Sequence, residues 1–183
     1  MAGILTPFQQ RLIDLGLLGM GAYFAVQLVR GMAGYRRYRG VAKTAVVSWP
    51  TPSPAHFRGL VALGAVAVLL AAVLAGQRKP THHVLAFALM AVYFLGLLPV
   101  TRRIRLGLYR DGVWAHRGFL AWSDVARIAF VEEPEIVLLL TPRQSGAAFK
   151  LPVPAAEYGT VRKILDEKAR SGLLRLEPAI LGI

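Results

Sequence analysis

Residues 59–76 read GLVALGAVAVLLAAVLAG, a run without any charged or strongly polar side chain. As an α-helix rising about 1.5 Å per residue, the run covers roughly 27 Å, close to the ~30 Å hydrocarbon core of a bilayer once flanking residues are added. A helix that is apolar on every side is buried in protein or in lipid. Because a chain of 183 residues is too short to bury several such helices in a soluble core, the run predicts a transmembrane helix.

Two further apolar runs lie on either side of it. Residues 12–29 read LIDLGLLGMGAYFAVQLV, and residues 84–100 read VLAFALMAVYFLGLLPV. We therefore expect transmembrane helices at about 12–29, 59–76 and 84–100, within a membrane region that extends over residues 1–105. The stretch MAGILTPFQQ before the first run has no Lys or Arg, and the run continues to Arg30 without a small-residue cleavage site. The first run is therefore predicted to be a span rather than a secretory signal peptide.

The composition confirms that the chain has two unlike halves. It is 55% hydrophobic and 17% charged, with a mean hydropathy of +0.49 and a formal net charge of +12. Residues 1–110 hold 13 of the 22 basic residues and one acid, whereas residues 111–183 balance nine basic residues against nine acids. The hydrophobicity excludes a disordered chain, and the confinement of the excess charge to one half excludes a uniformly basic nucleic-acid binder. The absence of cysteine excludes a disulfide scaffold, a zinc ribbon and a thiol nucleophile.

The basic residues also predict how the chain crosses the membrane. The loop 30–58 and the stretch that follows the third run carry ten Lys and Arg residues, whereas the N-terminal tail and the loop 77–83 carry three. Since cytoplasmic loops are the basic ones, we expect a multi-pass protein of the cell (plasma) membrane. Its N-terminus is predicted outside, and the basic, Pro-containing loop 30–58 and the C-terminal half are predicted in the cytoplasm. Clustered arginines near a bilayer contact anionic lipid headgroups, and we predict that contact for Arg36, Arg37, Arg39, Arg102, Arg103 and Arg105.

Two polar features stand near the predicted outer ends of the spans. Asp14 lies two residues into the first run, where a carboxylate reaches the headgroup region; the alternative is a functional intramembrane acid with a buried partner. His82 and His83 are adjacent in the loop before the third run, and two histidines can bind a metal, but no Cys, Asp or Glu lies near them in the sequence. We therefore expect an interfacial Asp14, a solvated pair of histidines, and neither a metal nor another cofactor.

After Arg105 the pattern changes to short β-rich segments separated by turn signals. Asp111-Gly112 is the strongest two-residue hairpin signal in the chain. The predicted strands lie at about 106–110, 113–116, 119–122, 125–132, 136–141 and 147–151. From Pro154, a residue tolerated in a first helical turn, apolar residues return at helical spacing until Ser171-Gly172. Five or six antiparallel strands and one helix predict a small cytoplasmic α+β domain at 106–172, with 173–183 as a tail or an extra strand.

The run LYRDGVWAHRGFLAWSDVARIAFVEEPEIVLLL, followed by a strand and the helix EYGTVRKILDEK, resembles bacterial membrane-anchored PH-like (pleckstrin-homology-like) domain proteins. The match is carried by Gly112-Val113, by Phe119 to Trp122 and by Asp124-Val125. The resemblance implies two or three transmembrane helices followed by a PH-like antiparallel sheet or partial barrel with a C-terminal helix. It assigns no activity. It gives structural roles in the domain to Asp111, Gly112, Trp122 and Asp124.

The sequence departs from that family pattern in two places. Members that bind inositol phosphates carry a basic cluster in the loop between their first two strands, where this chain offers only Arg110 beside Asp111 and Gly112. The count of five or six strands is also below seven, unless the region before Leu106 or the tail contributes a strand. Specific phosphoinositide binding is therefore not expected.

No motif in the sequence predicts an enzyme. The chain has no Walker loop, dinucleotide fingerprint or H-E-x-x-H sequence. We interpret it as an integral membrane protein that presents a PH-like interaction domain at the cytoplasmic face. Its expected partners are anionic headgroups and a protein or a second copy, but no nucleic acid. The alternative is a small oligomeric channel or transporter subunit with a cytoplasmic regulatory domain. The second and third runs are nearly free of polar groups, which a conduit requires, whereas Asp14 and Gln27 keep this alternative open.

Overall fold

The computed structural model describes residues 6–52, 56–131, 135–144 and 147–170. The chain divides into two compact units. The helical unit consists of Met1–Tyr35 and Pro52–Arg103, and the sheet unit consists of Arg36–Thr51 and Ile104–Ile183. In the sequence, the second part of the helical unit is thus inserted between the two parts of the sheet unit.

Helix α1 is Pro7–Val41 and helix α2 is Phe57–Gly76. The third helical segment begins as α3, Thr81–Ala91, continues through a π-helical turn at Val92–Leu97 and ends as α4, Leu98–Thr101. As expected, the structure contains three helices long and apolar enough to cross a membrane. Helix α1 is longer than its apolar run because the polar sequence GYRRYRG at 34–40 continues the helix.

Within the helical unit, α1 and the third helical segment run parallel. A Cβ added at Gly21 would lie 3.6 Å from Ala86, and the rings of Phe24 and Phe94 lie 5.6 Å apart between centroids. The residue number of the contact rises in both helices together, so the two helices run in the same direction. Helix α2 runs the other way, since only four residues, 77–80, connect it to α3. Helix α2 packs closely on the third helical segment, because a Cβ added at Gly64 would lie 2.9 Å from Phe94 Cβ.

The sheet unit contains seven strands among its described residues. The first four, β1 (Ala45–Pro50), β2 (Arg105–Tyr109), β3 (Gly112–Ala115) and β4 (Gly118–Ala121), form one antiparallel sheet in chain order. A second antiparallel sheet holds β5 (Val125–Val131), β6 (Val137–Pro142) and β7 (Phe149–Pro152). Helix α5, Ala155–Arg170, follows the last strand. The prediction of antiparallel strands followed by a C-terminal helix is confirmed.

The structure corrects the prediction of a loop at 30–58. Residues 30–41 continue α1, and Ala45–Pro50 form β1, which pairs with β2 in the register Trp49↔Leu106 and Ser48↔Gly107. Valine and tryptophan are strand formers, and a proline is tolerated at the end of an edge strand. The strand count therefore rises from the expected five or six to seven. The other candidate for an extra strand, 173–183, lies outside the described residues.

Apolar side chains from both sheets and from α5 form the core of the sheet unit. Val161 and Leu165 of α5 are spaced by four residues and therefore share a helix face, and both are completely buried. The ring of Tyr158 meets Phe130 of β5 edge to face at 5.4 Å. Further side chains without any exposure come from both sheets: Leu108, Val113, Ile128, Leu138, Leu140 and Leu151.

Candidate functional site

Three ionisable side chains from two helices converge in the helical unit. His83 Nε2 lies 2.6 Å from Asp14 Oδ1, and His82 Nε2 lies 3.5 Å from the same oxygen. The two imidazole rings meet edge to face, with 4.4 Å between their centroids. One ligand atom from each of the three residues can be chosen so that all lie within 4.8 Å of one another. The cluster thus brings two nitrogen donors and one oxygen donor close to one another.

The parallel packing of α1 and α3 brings these residues together. Asp14 lies in the first two turns of α1, and the two histidines follow Thr81 in the first turn of α3. Because the helices run in the same direction, their N-terminal turns lie at the same end of the helical unit. The side chains of Asp14 and His82 are about one-third exposed, at 33% and 34%, whereas His83 is more deeply placed. The cluster is therefore partly exposed, and His83 is the most buried of its three side chains.

The hydrogen bonding within the cluster is incomplete. His83 donates from Nε2–H to the Asp14 carboxylate across the short contact. His82 Nε2 is buried and makes no hydrogen bond to any described residue, since its 3.5 Å approach to Asp14 lies outside the range of 2.7–3.2 Å that is usual for N–H···O bonds. A buried polar atom without a partner is uncommon and commonly marks a place where water or an ion binds.

These contacts differ from the expectations for the individual residues. The histidines were expected to form a solvated turn because no acid lies near them in the sequence, yet Asp14 reaches them from 69 residues away. Asp14, expected to stand alone at the interface, has two imidazole neighbours. Sequence reasoning placed all three at the outer ends of their spans, and this shared end was the available signal for their convergence.

The six arginines predicted to contact lipid are all exposed, and several are engaged by the protein itself. In the sheet unit, the guanidinium of Arg37 lies over the ring of Phe119 at 5.4 Å, and Arg105 Nη2 donates to the Ser48 carbonyl at 2.7 Å. In the helical unit, Arg102 lies over Phe57 at 4.1 Å. The remaining three lie in the last turns of α1 or just after α4: Arg36, Arg39 and Arg103.

The four residues predicted to have structural roles in the domain, Asp111, Gly112, Trp122 and Asp124, lie around one corner of the four-stranded sheet. The Trp122 indole donates from Nε1 to the carbonyls of Tyr109 and Arg110, at 3.1 Å each. The Trp122 N–H in turn donates to the Asp111 carbonyl at 3.1 Å. These bonds fasten the turn after β4 to the hairpin between β2 and β3.

Gly112 and Asp124 complete this corner. A Cβ at Gly112 would strike the Leu120 carbonyl and lie 2.9 Å from Ala121 Cα, so the close approach of β4 requires glycine. The Asp124 carbonyl accepts from the Arg143 N–H at 2.8 Å, and its carboxylate accepts from the Ser123 hydroxyl at 3.3 Å. Each of these positions therefore has a structural contact in the sheet unit.

The chain was compared with known proteins on three levels. No protein-family model matches it, and no curated protein or solved structure matches it either. A metal site needs several His, Cys, Asp or Glu side chains close together. Among the described residues, one group of three could hold a metal ion, and it consists of Asp14, His82 and His83.

Proposed function

We propose that this chain is an integral protein of the cell membrane whose sheet unit is a PH-like interaction module at the cytoplasmic face. The observation that carries the proposal is the pairing of β1 with β2 across the inserted helices. Thr51, the last residue of the first part of the sheet unit, donates from Oγ1 to the carbonyl of Ile104 at 2.7 Å. At the opposite end of the pairing, the Arg110 N–H donates to the Thr44 carbonyl at 2.9 Å.

This pairing supports the proposed orientation. Between Thr51 and Ile104 the chain makes two helices of membrane length. Two crossings return a chain to the face from which it started, so the two parts of the sheet unit can join only on one side. The strongly basic ends of α1 and of the third segment favour the cytoplasm as that side.

The strand arrangement supports the PH-like assignment. With β1 included, the unit has seven antiparallel strands, four in one sheet and three in the other, followed by a helix. This is the strand number that the resemblance implies. The corner built by Trp122 and Gly112 gives a physical reason for the residues that carry the resemblance.

The surface of the sheet unit favours a protein segment as its partner. Residues 111–183 balance nine basic residues against nine acids, whereas the remaining parts of the unit, Arg36–Thr51 and residues 104–110, hold six basic residues and no acid. The net positive charge of the unit therefore lies in the segments that contain β1 and β2. Strands β1 and β4 are the edges of the four-stranded sheet, and an edge strand offers backbone N–H and C=O groups to an added strand. Val46 on β1 is 56% exposed. No other large apolar side chain among the described residues of this unit is exposed. An extended peptide beside β1 would cover Val46.

Single cysteines test the placement, because the natural chain has none. We expect Lys79→Cys, in the turn between α2 and α3, to react with a membrane-impermeant maleimide in intact cells. Arg117→Cys, in the exposed turn between β3 and β4, should react only after the cells are permeabilised. The reverse pattern of labelling would contradict the cytoplasmic placement.

Photo-crosslinking of the full chain in cells tests the module itself. A photoactivatable residue at Val46 should give a discrete protein adduct. The matched control is Leu69 of α2, which is 66% exposed and is expected to give lipid adducts. If Leu69 instead gives a dimer of the chain while Val46 gives no protein adduct, the helices are the functional part and the oligomeric channel or transporter subunit is favoured.

A further inference from the structure

We propose that Asp14, His82 and His83 form a binding site for Zn²⁺ or a similar late first-row divalent cation, with a coordination position left open to solvent. The site lies in the helical unit and is independent of the interaction module proposed for the sheet unit. It was not expected from the sequence, where the acid and the histidines are far apart.

The donor geometry is near that of a metal centre. Zinc bonds to histidine nitrogen and carboxylate oxygen at about 2.0–2.2 Å, which separates neighbouring ligand atoms by roughly 3–4 Å. His82 Nε2 is already 3.5 Å from Asp14 Oδ1. His83 Nε2, at 2.6 Å, would move outward by less than about 1 Å to admit the ion. That adjustment is within the range of a side-chain rotation in a partly exposed cluster.

A bound cation would give each of the three side chains a coordination bond. Without it, one carboxylate oxygen faces two imidazole nitrogens, and His82 Nε2 is left without a hydrogen bond. With it, each imidazole gives a lone pair to the metal, the Nε2 proton of His83 is released, and the carboxylate neutralises part of the ionic charge. An ion pair between Asp14 and His83 alone explains neither the direction nor the burial of His82 Nε2.

The donor types select the class of metal. Two imidazoles and one carboxylate suit zinc and its neighbours among the late transition metals, whereas Ca²⁺ and Mg²⁺ prefer sites built from oxygen alone. Cu⁺ prefers sulfur ligands, and no thiol exists in the chain. Three protein ligands leave a tetrahedral ion one position short, and the exposure of Asp14 and His82 allows water or a small anionic ligand to occupy it.

The test uses the full chain in lipid nanodiscs, purified with a histidine-free affinity tag and stripped with a chelator. Co²⁺ is added first as a spectroscopic probe, and Zn²⁺ is then measured by competition with a fluorescent chelator. We expect saturable binding of a single ion per chain, with the visible absorption bands of four- or five-coordinate Co²⁺, and displacement of Co²⁺ by Zn²⁺.

Two variants and a control locate the site. His82→Gln leaves the Asp14–His83 hydrogen bond in place and therefore keeps the helix contact while removing one metal ligand. Asp14→Asn removes the carboxylate charge. Each should weaken Zn²⁺ binding at least about tenfold, by analogy with the losses seen when metal-site partners are removed. The control is the double variant His56→Gln, His116→Gln, which changes the other two of the four histidines, both exposed, and should bind as the natural chain does.

The same samples give the results that would overturn the proposal. A wild-type chain that shows no saturable Co²⁺ spectrum refutes the site even if every variant misfolds. Binding that is equally strong in His82→Gln, or that is lost in the control, places the metal elsewhere. A rise in unfolding temperature with added Zn²⁺ should accompany binding in the wild type and be absent in His82→Gln.

Discussion

The helical unit and the sheet unit treat large apolar side chains in opposite ways. In the sheet unit the leucines and valines of the strands lie inside, and several have no exposed surface. In the helical unit the buried positions are divided between small residues, such as Ala67 and Ala86, and large ones, such as Phe94, while leucines such as Leu15 and Leu69 are exposed. All exposed large apolar side chains among the described residues, except Val46, belong to the helical unit.

This difference is compatible with different solvents for the two units, a membrane for the helical unit and water for the sheet unit. A water-soluble surface seldom exposes a continuous apolar area of this kind, whereas lipid is as apolar as leucine and gives no reason to hide it. In a membrane, the helical unit would gain its internal stability from close packing and from polar contacts such as Asp14–His83. The sheet unit gains its stability from burial, and the same substitution should have different consequences in the two.

The largest effect on stability is expected at Gly107 of β2, where β2 pairs with β1. Gly107 has φ +148°, and a Cβ there would strike the Val47 carbonyl and lie 2.7 Å from Ser48 Cα. Gly107→Ala should therefore separate β1 from β2 and lower the free energy of unfolding of the sheet unit by about 4 kcal/mol. Hydrogen exchange of the full chain in nanodiscs should show loss of protection at residues 45–50.

Gly159→Ala is the matched control for this substitution. Gly159 lies in α5 with open space around it, so alanine there should stabilise the helix by about 1 kcal/mol. Equal protection of residues 45–50 in Gly107→Ala and in the wild type would show that β1 is not an integral strand of the unit.

The next effect compares one leucine from each unit. Leu140 is fully buried in β6, whereas Leu69 faces outward on α2 with 66% of its surface exposed. Leu140→Ala should destabilise the sheet unit by about 3 kcal/mol through lost burial and a cavity. If α2 crosses the membrane as proposed, Leu69→Ala should leave the unfolding of both units nearly unchanged in nanodiscs, because the side chain would meet lipid in either state. A comparable loss for both variants would contradict the assignment of lipid as the solvent of α2.

Much of the secondary structure could be predicted from the sequence because it depends on local patterns. The apolar runs at 59–76 and 84–100 lie within observed helical segments, and the six predicted strands correspond to β2 through β7 within a few residues. The end of α1 was missed because hydropathy drops at Arg30, although the polar residues that follow are still helical. Hydropathy reports the solvent of a helix, and it does not report its length.

The features missed are those that depend on distant parts of the chain. Strand β1 lies in the Pro-containing segment 30–58, whose sequence predicts a loop, and its partner β2 follows only after two long helices. The convergence of Asp14 with His82 and His83 depends on which faces of α1 and α3 meet. Helices that are apolar on all sides carry no hydrophobic stripe to show that face, so the candidate metal site could not be derived from the sequence.

A smaller effect is expected from the indole hydrogen bonds that fasten the sheet corner. Trp122→Phe keeps a ring but leaves the carbonyls of Tyr109 and Arg110 without their Nε1–H donor. We expect a loss of about 1–2 kcal/mol in the free energy of unfolding of the sheet unit, measured by chemical denaturation in micelles.

Trp114→Phe provides the matched comparison for Trp122→Phe. Trp114 is also buried, but its ring packs edge to face on Tyr38 at 5.3 Å, and its indole makes no hydrogen bond with the described residues. The same change of volume should therefore cost less. If both variants lose the same stability, packing rather than hydrogen bonding accounts for the role of Trp122.

The smallest effect concerns a phenol in the core of the sheet unit. Tyr109 is almost completely buried, and its hydroxyl donates to the Arg105 carbonyl at 2.8 Å. Burial, reinforced by the neighbouring Tyr38, raises the pKa of Tyr109 above the ordinary tyrosine value near 10. Below about pH 10 the phenol is protonated in both the folded and the unfolded chain, and its full contribution to stability is present.

As the pH rises beyond that value, the unfolded chain releases the proton first and unfolding is favoured. The stability difference between the wild type and Tyr109→Phe should therefore shrink between pH 8 and pH 11, as measured by denaturation of the full chain in micelles. Trp114→Phe, which removes no titrating group, should show a constant difference over the same range. A Tyr109→Phe difference that stays constant would mean that water reaches this phenol, and the contrast between the dry core of the sheet unit and the exposed leucines of the helices would then be weaker at β2.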